Sequence, residues 1–163
     1  MSKTPRGFGI IESDLRVPEH AVAFVSLLNS YLQDDMGRGR AVKGAREKKL
    51  LKELRAHPAK LILLAKMKNS YVGMAVCFLT YSTFQARPLL NVHDLIVLPA
   101  YRRQGIGRKL MAAVGKKARR LGCGKITLEV RYDNEKARRL YASLGYGECC
   151  PPMSFWVKAL NEA

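Results

Sequence analysis

No stretch of this chain stays apolar for long. The longest uninterrupted run, Met74 to Leu79, falls far short of the roughly 20 residues that span a bilayer. No apolar segment of the kind that marks a secretory leader follows residues 1–7, so a cytoplasmic protein with no membrane partner is expected. The four cysteines (Cys77, Cys123, Cys149, Cys150) form no C-x-x-C pair, and the three histidines (His20, His57, His93) are scattered. Zinc-ligand spacing and a disulfide framework are therefore both absent, and free thiols, buried or half-buried, are expected with no metal. There is no G-x-S-x-G nucleophile elbow and no internal repeat, and no Pro-, Gly- or Ser-rich linker divides the 163 residues. One domain over residues 1–163 is the expectation.

Acidic residues are also few, 13 against 29 Lys and Arg, for a net charge of +16. The excess is uneven. Residues 99–139 hold 13 basic and 3 acidic side chains, and residues 36–60 hold 9 and 2. Clusters of this kind attract polyanions: a phosphorylated cofactor, a nucleic acid or ribosome, or an anionic surface.

Periodicity organises the rest. Phe8 to Glu12 reads as a short strand, and Val22, Phe24, Val25, Leu28 and Leu32 recur at helical spacing within residues 19–32. A second helix over residues 46–56 is stopped by His57-Pro58. Leu61 to Lys66 and Tyr71 to Tyr81 read as strands about a turn at residues 68–70, followed by a doubly buried strand from Leu90 to Leu98. Ile106, Leu110, Met111, Val114, Ala118 and Leu121 mark one face of a helix closed by Gly122. Lys125 to Val130 is a strand, Ala137 to Leu144 a last helix, and two final strands are expected, the second through Phe155, Trp156 and Val157. The order β-α-α-β-β-β-α-β-α-β-β predicts an α/β domain on one mixed, mostly antiparallel sheet flanked by about four helices.

The chemistry is concentrated where the strand ending at Pro99 runs into Ala100-Tyr101-Arg102-Arg103-Gln104-Gly105-Ile106-Gly107-Arg108. Two glycines leave the backbone bare, and the first N–H groups of a helix have no intrahelical partner and favour negative charge. The result is a pyrophosphate cradle. It is not a P-loop, because no Gly-Lys-Ser/Thr follows. It is not a dinucleotide fingerprint either, because position 110 is Leu.

Arg102-x-x-Gly105-x-Gly107, the preceding Val97-x-Pro99-x-Tyr101 and the downstream Leu128-Glu129-Val130-Arg131, Asn134, Ala137 and Leu140 to Tyr146 together resemble the GNAT superfamily of N-acetyltransferases. The resemblance implies acetyl-CoA as cosubstrate and a primary amine as acceptor. It implies that the pantetheine arm pairs with Leu95, Ile96 and Val97. It sets the pyrophosphate against Arg102, Arg103, Gln104, Gly105, Ile106, Gly107 and Arg108, with Asn134 near the pantetheine. Asn134 also reads as a helix N-cap. Tyr141 matches the family's tyrosine beside the thioester sulfur, a general acid whose phenol stays protonated at neutral pH; a core tyrosine is the alternative.

The segment Leu128 to Asn134 is similar to that of bacterial ribosomal-protein alanine acetyltransferases, which implies Glu129 as proton acceptor. His93 and Asp94 are its rivals, since a charged pair inside an apolar strand is costly without partners or work. Neighbours on a strand point to opposite faces, so at most one of these two is expected to face the cleft. The implied mechanism is direct attack in a ternary complex. The family shapes its acceptor site from the regions equivalent to residues 19–56 and 146–157. There Arg38, Arg40, Lys43, Arg46, Lys48 and Lys49 disfavour a polycationic amine and suit one that carries a carboxylate. The family also makes a homodimer plausible. A basic GNAT-like module that docks on RNA or the ribosome, with acetyl-CoA as a structural ligand, is the alternative from another class.

Overall fold

Alternating apolar residues build a five-stranded sheet in the computed structural model, which describes residues 7–35, 37 and 39–160. In chain order the elements are β1 (Phe8–Glu12), α1 (Pro18–Leu32), α2 (Ala45–Ala56), β2 (Lys60–Met67), β3 (Ser70–Ser82), β4 (Arg87–Val97), a 3-10 turn (Pro99–Tyr101), α3 (Ile106–Arg120), β5 (Lys125–Leu128) and α4 (Glu135–Ala142). The strands lie in the order β1-β2-β3-β4-β5, antiparallel up to β4, with β5 parallel to β4. This is the mixed, mostly antiparallel sheet with four helices that the periodicity led us to expect.

Strand alternation separates two cores. Leu61, Leu63 and Ala65 of β2 face α3, whose Ile106, Leu110, Met111, Val114 and Ala118 close that side. Ile62 and Leu64 face α1 through Phe24 and Leu27. Leu64 and Leu110 are fully buried, and each such side chain contributes about 1.5–3 kcal/mol relative to exposure. Truncating Leu110 to Ala would cost about 2–5 kcal/mol.

The helix ends follow local chemistry. Pro18 opens α1 with Glu19 in its first turn, where a missing N–H and a negative charge are both tolerated. Helix α2 ends at His57, held extended ahead of Pro58. Asn29 pins the loop between α1 and α2: its Nδ2 donates to the Val42 carbonyl at 3.1 Å, and its Oδ1 accepts from Val42 N–H at 2.7 Å.

β4 carries a bulge. Val76 of β3 faces Asp94, yet the next residue, Cys77, faces Val92, so His93 is the extra residue. The inserted residue inverts the alternation. Leu90 and Val92 point into the α3 core, whereas Ile96, of the same parity, points into the α1 core.

Three expectations are corrected. Residues 146–160 form no strand, and Phe155, Trp156 and Val157 stand in solvent; their pattern suits a strand, but a strand exists only where an edge pairs with it. β5 ends at Leu128 rather than Val130 because its pairing with β4 ends at Val92. Cys77 is buried and Cys123 half-buried, but Cys149 and Cys150 are exposed, since the segment that carries them packs on no element.

Candidate functional site

β4 and β5 pair only from Leu89↔Lys125 to Val92↔Leu128. Beyond Val92 the two strands part, and the backbone from His93 to Val97 has no ladder partner on the β5 side among the described residues. Leu95, Ile96 and Val97 thus lie on an open strand edge. Gly73, opposite Val97 on β3, allows this arrangement: a Cβ there would sit 2.7 Å from the Ile96 carbonyl oxygen.

The chain then turns into α3. Arg103 has φ +62° and Gly105, the N-cap, has φ +77°; both are left-handed, which glycine adopts freely and arginine does not. The first intrahelical bond at this end runs from Lys109 N–H to the Gly105 carbonyl at 3.1 Å. The amides of Ile106, Gly107 and Arg108 precede it and are the helix's donors to an anion. Gly107 lets α4 approach, since a Cβ would stand 3.2 Å from Leu140 Cδ2.

The side chains of this segment divide by task. Arg102 turns back: its Nε donates to the Val97 carbonyl at 3.0 Å and its Nη2 to Asp34 at 2.5 Å. Gln104 donates to the Ala100 carbonyl at 3.3 Å, and Arg108 to Ser143 Oγ at 2.7 Å. Ile106 is buried in the α3 core, and Arg103 is exposed beside the helix start. Asn134 caps α4, its Oδ1 accepting from Ala137 N–H at 3.2 Å, so its amide nitrogen remains a donor.

Tyr141 of α4 is half-buried against Tyr146, with ring centroids 6.0 Å apart. Burial, with smaller contributions from Tyr31 and Tyr146, pushes its phenol up to about 12. Tyr31, at the end of α1, is raised by burial and by the negative charge of Asp94, while Arg131 acts in the opposite sense. Asp94, Arg131 and Tyr141 therefore each lie within electrostatic reach of Tyr31. Burial raises the Asp94 carboxyl above the usual carboxylate range, and His93 offsets part of the rise.

The bulge brings His93 and Asp94 to one face of the sheet. The His93 ring meets Phe78 edge-on at 5.7 Å, and Asp94 sits opposite Val76; Phe78 and Val76 both belong to the α1 core. The expectation that these neighbours point apart fails, because strict alternation stops at a bulge. Glu129 lies just past β5, exposed, and accepts from Asn91 Nδ2 at 3.2 and 3.4 Å.

Sequence reasoning missed Tyr31, Asp34 and Gly73. Tyr31 stands three residues after Leu28 on the apolar face of α1, a position that reads as core. Asp34 and Gly73 had no signal, since what they do depends on Arg102 and Ile96, which are distant in sequence or across a strand pair.

A cavity of about 590 Å³ lies between α1 and α2, with Leu28, Leu32, Val42 and Leu50 as its apolar lining and Arg46, Lys49 and Glu53 as its charged one. Leu28 and Leu32 flank Tyr31 along α1. Arg40, Lys43, Arg46, Lys48 and Lys49 are exposed, and Arg38 lies outside the described residues. No helix among the described residues is long and apolar enough to cross a membrane.

The model of the acetyltransferase (GNAT) family matches residues 22–146. An uncharacterized N-acetyltransferase of Bacillus subtilis (strain 168), YhfO, is 30% identical over 128 residues, 78% of this chain and 84% of that protein. The thialysine N-epsilon-acetyltransferase of Bos taurus is 38% identical over 74 residues, and the match spans 45% of this chain and less than half of that protein, 43%. Among solved structures, AAC(6')-Iy in complex with the bisubstrate analogue CoA-S-monomethyl-acetylneamine superposes with a TM-score of 0.75 at 17% identity, over 94% of this chain and 99% of that one. The parted strands, the glycine-opened helix and the extent of the family match agree: the chain belongs to the GNAT family of acetyl-CoA-dependent N-acetyltransferases.

Proposed function

We propose that this enzyme transfers the acetyl group directly to the amine in a ternary complex, with the donor lying in the gap between β4 and β5. The observation that carries this reading is the continuity of an open strand edge at Leu95–Val97 with the free amides of Ile106, Gly107 and Arg108. The strand edge suits the amide-rich pantetheine arm, and the helix start suits the pyrophosphate. Arg103 and the Asn134 amide nitrogen supply further donors, while Arg102, Gln104 and Arg108 hold the turn in shape.

In this reading Tyr141 gives its proton to the departing thiolate as the new C–N bond replaces the C–S bond. Its phenol, pushed up to about 12, stays protonated at neutral pH. A backbone N–H of β4 holds the oxyanion. An attacking ammonium sheds two protons: Asp94 takes the one whose loss frees the lone pair, and the one lost as the C–N bond forms restores the Tyr141 phenol. Burial gives this carboxylate a raised affinity for protons, and Tyr31 links it to Tyr141. Glu129 is the second reading, favoured by the hydrogen bonds with which Asn91 orients it at the mouth of the gap. Comparing the pH profiles of Asp94→Asn and Glu129→Gln decides: the proton acceptor is the residue whose loss removes the acid limb.

The groove between α1 and α2 suits an amine with an apolar body and a carboxylate, which Arg46 or Lys49 would meet. Thialysine, the acceptor named for the bovine relative, is an amine of this class. Replacing Arg46 and Lys49 by Ala should raise the KM for such an amine and leave that for acetyl-CoA unchanged.

A thermal-shift titration with acetyl-CoA, coenzyme A and NAD tests the donor site. At about 100 times its Kd a ligand adds about 2.7 kcal/mol of stability, so both coenzyme A species should raise Tm and NAD should not. No shift with saturating acetyl-CoA sinks the reading, and the RNA-docking alternative then becomes the one to test, by the steep salt dependence that phosphate contacts impose.

A further inference from the structure

One end of the sheet gathers exposed cations around two exposed aromatic rings. The β3–β4 hairpin turns at residues 83–86. Phe84 at its tip is fully exposed, and Tyr81, paired with Pro88 just below the turn, is 58% exposed. The tip is an ordered turn. Ser82 is buried and its Oγ accepts from Gln85 N–H at 3.4 Å, while Ala86 N–H donates to the Thr83 carbonyl at 3.4 Å. The turn after α3 lies against this hairpin. Gly124 N–H donates to the Pro88 carbonyl at 2.8 Å, and a Cβ on Gly124 would stand 3.5 Å from Arg87 Cδ. Register then sets Lys125 opposite Leu89.

Arg87, Arg119, Arg120 and Lys125 are exposed at this end, and none of them forms an ion pair among the described residues. No acidic residue occurs between Glu53 and Asp94 or between Asp94 and Glu129. Cations in the last turn of a helix offset its macrodipole, which accounts for Arg119 and Arg120. It accounts neither for Arg87 and Lys125, which open strands, nor for an aromatic ring held out into solvent at a hairpin tip. The surface is remote from the donor site. Helix α3 runs for 15 residues, about 22 Å, and the amides of Ile106, Gly107 and Arg108 lie at its other end.

We infer that this end of the molecule binds single-stranded RNA, with bases stacked on Phe84 and Tyr81 and phosphates met by Arg87, Arg119, Arg120 and Lys125. Aromatic faces beside a cationic track are what holds a single strand, because every base has a π-face and every nucleotide a charge. RNA presents such unstacked bases in its loops and ends. A duplex keeps its bases stacked on one another and offers the rings nothing, and an acidic peptide would use the cations alone. A membrane surface would need an apolar tip, but Thr83 and Gln85 on either side of Phe84 are polar. Acetyl-CoA and the strand can be held together, and the inference does not rest on the proposed mechanism.

The probe is a fluorescein-labelled single strand of about 12 uridines, within the span that one small binding surface covers. It is titrated with the full chain and read by anisotropy. At about 150 mM salt the expected Kd is about 1–100 µM, the range of sequence-independent binding, and four phosphate contacts should give log K a slope of about −3 against log salt. Phe84→Ala should weaken binding about 10-fold, and Phe84→Tyr should restore it. Replacing Arg119 and Arg120 together by Ala should flatten the salt slope by about 1.4. All three positions are exposed, so Tm should match the wild type. Saturating acetyl-CoA should leave the affinity unchanged. Displacement of the strand by acetyl-CoA overturns the inference, because the strand then lies on the donor loop. An affinity that Phe84→Ala leaves unchanged, or a duplex of the same length bound as tightly, overturns it as attraction by charge alone. No binding of the strand overturns it as well, and capture by phosphatidylglycerol vesicles in that case assigns the tip to a membrane surface.

Discussion

Arg102 Nη2 lies 2.5 Å from Asp34 Oδ2 and fastens the turn after β4 to the end of α1. The same guanidinium holds the Val97 carbonyl through Nε. A residue that the resemblance assigns to cofactor contact is thus a tie between the turn after β4 and the end of α1. Arg102→Ala should lower stability by about 1–2 kcal/mol, since Asp34 is only 16% exposed and loses its guanidinium. The 46% exposure of Arg102 keeps the loss near the lower figure. Arg102→Lys should recover less than half, because an ammonium cannot make both contacts. Denaturant melts at pH 7 check this, and an unchanged midpoint in the alanine variant would show that the pair carries nothing.

Tyr141→Phe removes the proposed acid and keeps the ring against Tyr146. The expected result is a fall in kcat of about 10²-fold or more, the usual share of a positioned acid, with the KM for acetyl-CoA within about 2-fold, a difference too small to mark lost binding. If Tyr141 serves only as core, kcat will stay and Tm will fall instead.

As the proposed proton acceptor, Asp94 would couple activity to stability. Its folded pKa is raised by burial, so the native state binds more protons than the unfolded state between the ordinary carboxylate value and the folded one. Stability from this group is therefore present at low pH, falls as pH rises through that window and does not return above it. Asp94→Asn should raise Tm at pH 7 while lowering kcat/KM, and should erase the loss of activity expected of the wild type as pH falls through the folded pKa. A variant that is both less stable and unaltered in its pH profile would refute the assignment.

Gly73→Ala places a methyl 2.7 Å from the Ile96 carbonyl, a backbone atom that cannot rotate away. The strand edge proposed for pantetheine must then shift. The acetyl-CoA KM should rise about 10-fold or more, since a small displacement at such a site costs far more than the contact itself, with Tm lowered. Gly9→Ala, where a Cβ meets nothing within 4 Å, is the control and should leave the KM unchanged.

Much of this protein was legible in one dimension. Period-two and period-3.6 patterns located five strands and four helices, and the run from Val97 to Arg108 located the turn and the basic helix it opens. These are local properties: side-chain alternation, the left-handed turn at Gly105 and the stop at Pro58 depend on residues within a few positions. The bulge at His93 was not legible, because nothing in Asn91-Val92-His93-Asp94 says that β3 will present one residue fewer. That single insertion decides that Asp94 lies on the α1 side of the sheet instead of the α3 side. The tail fails in the opposite direction: Met153 to Leu160 has a strand's pattern, yet it pairs with no strand among the described residues and stands in solvent. The sequence by itself determined which segments extend or coil and where the backbone is bare. The tertiary structure alone decided which edges pair, where β4 and β5 part, and which distant residues (Tyr31, Asp34, Gly73) lie around the candidate site, because those relations rest on long-range register that local periodicity does not encode.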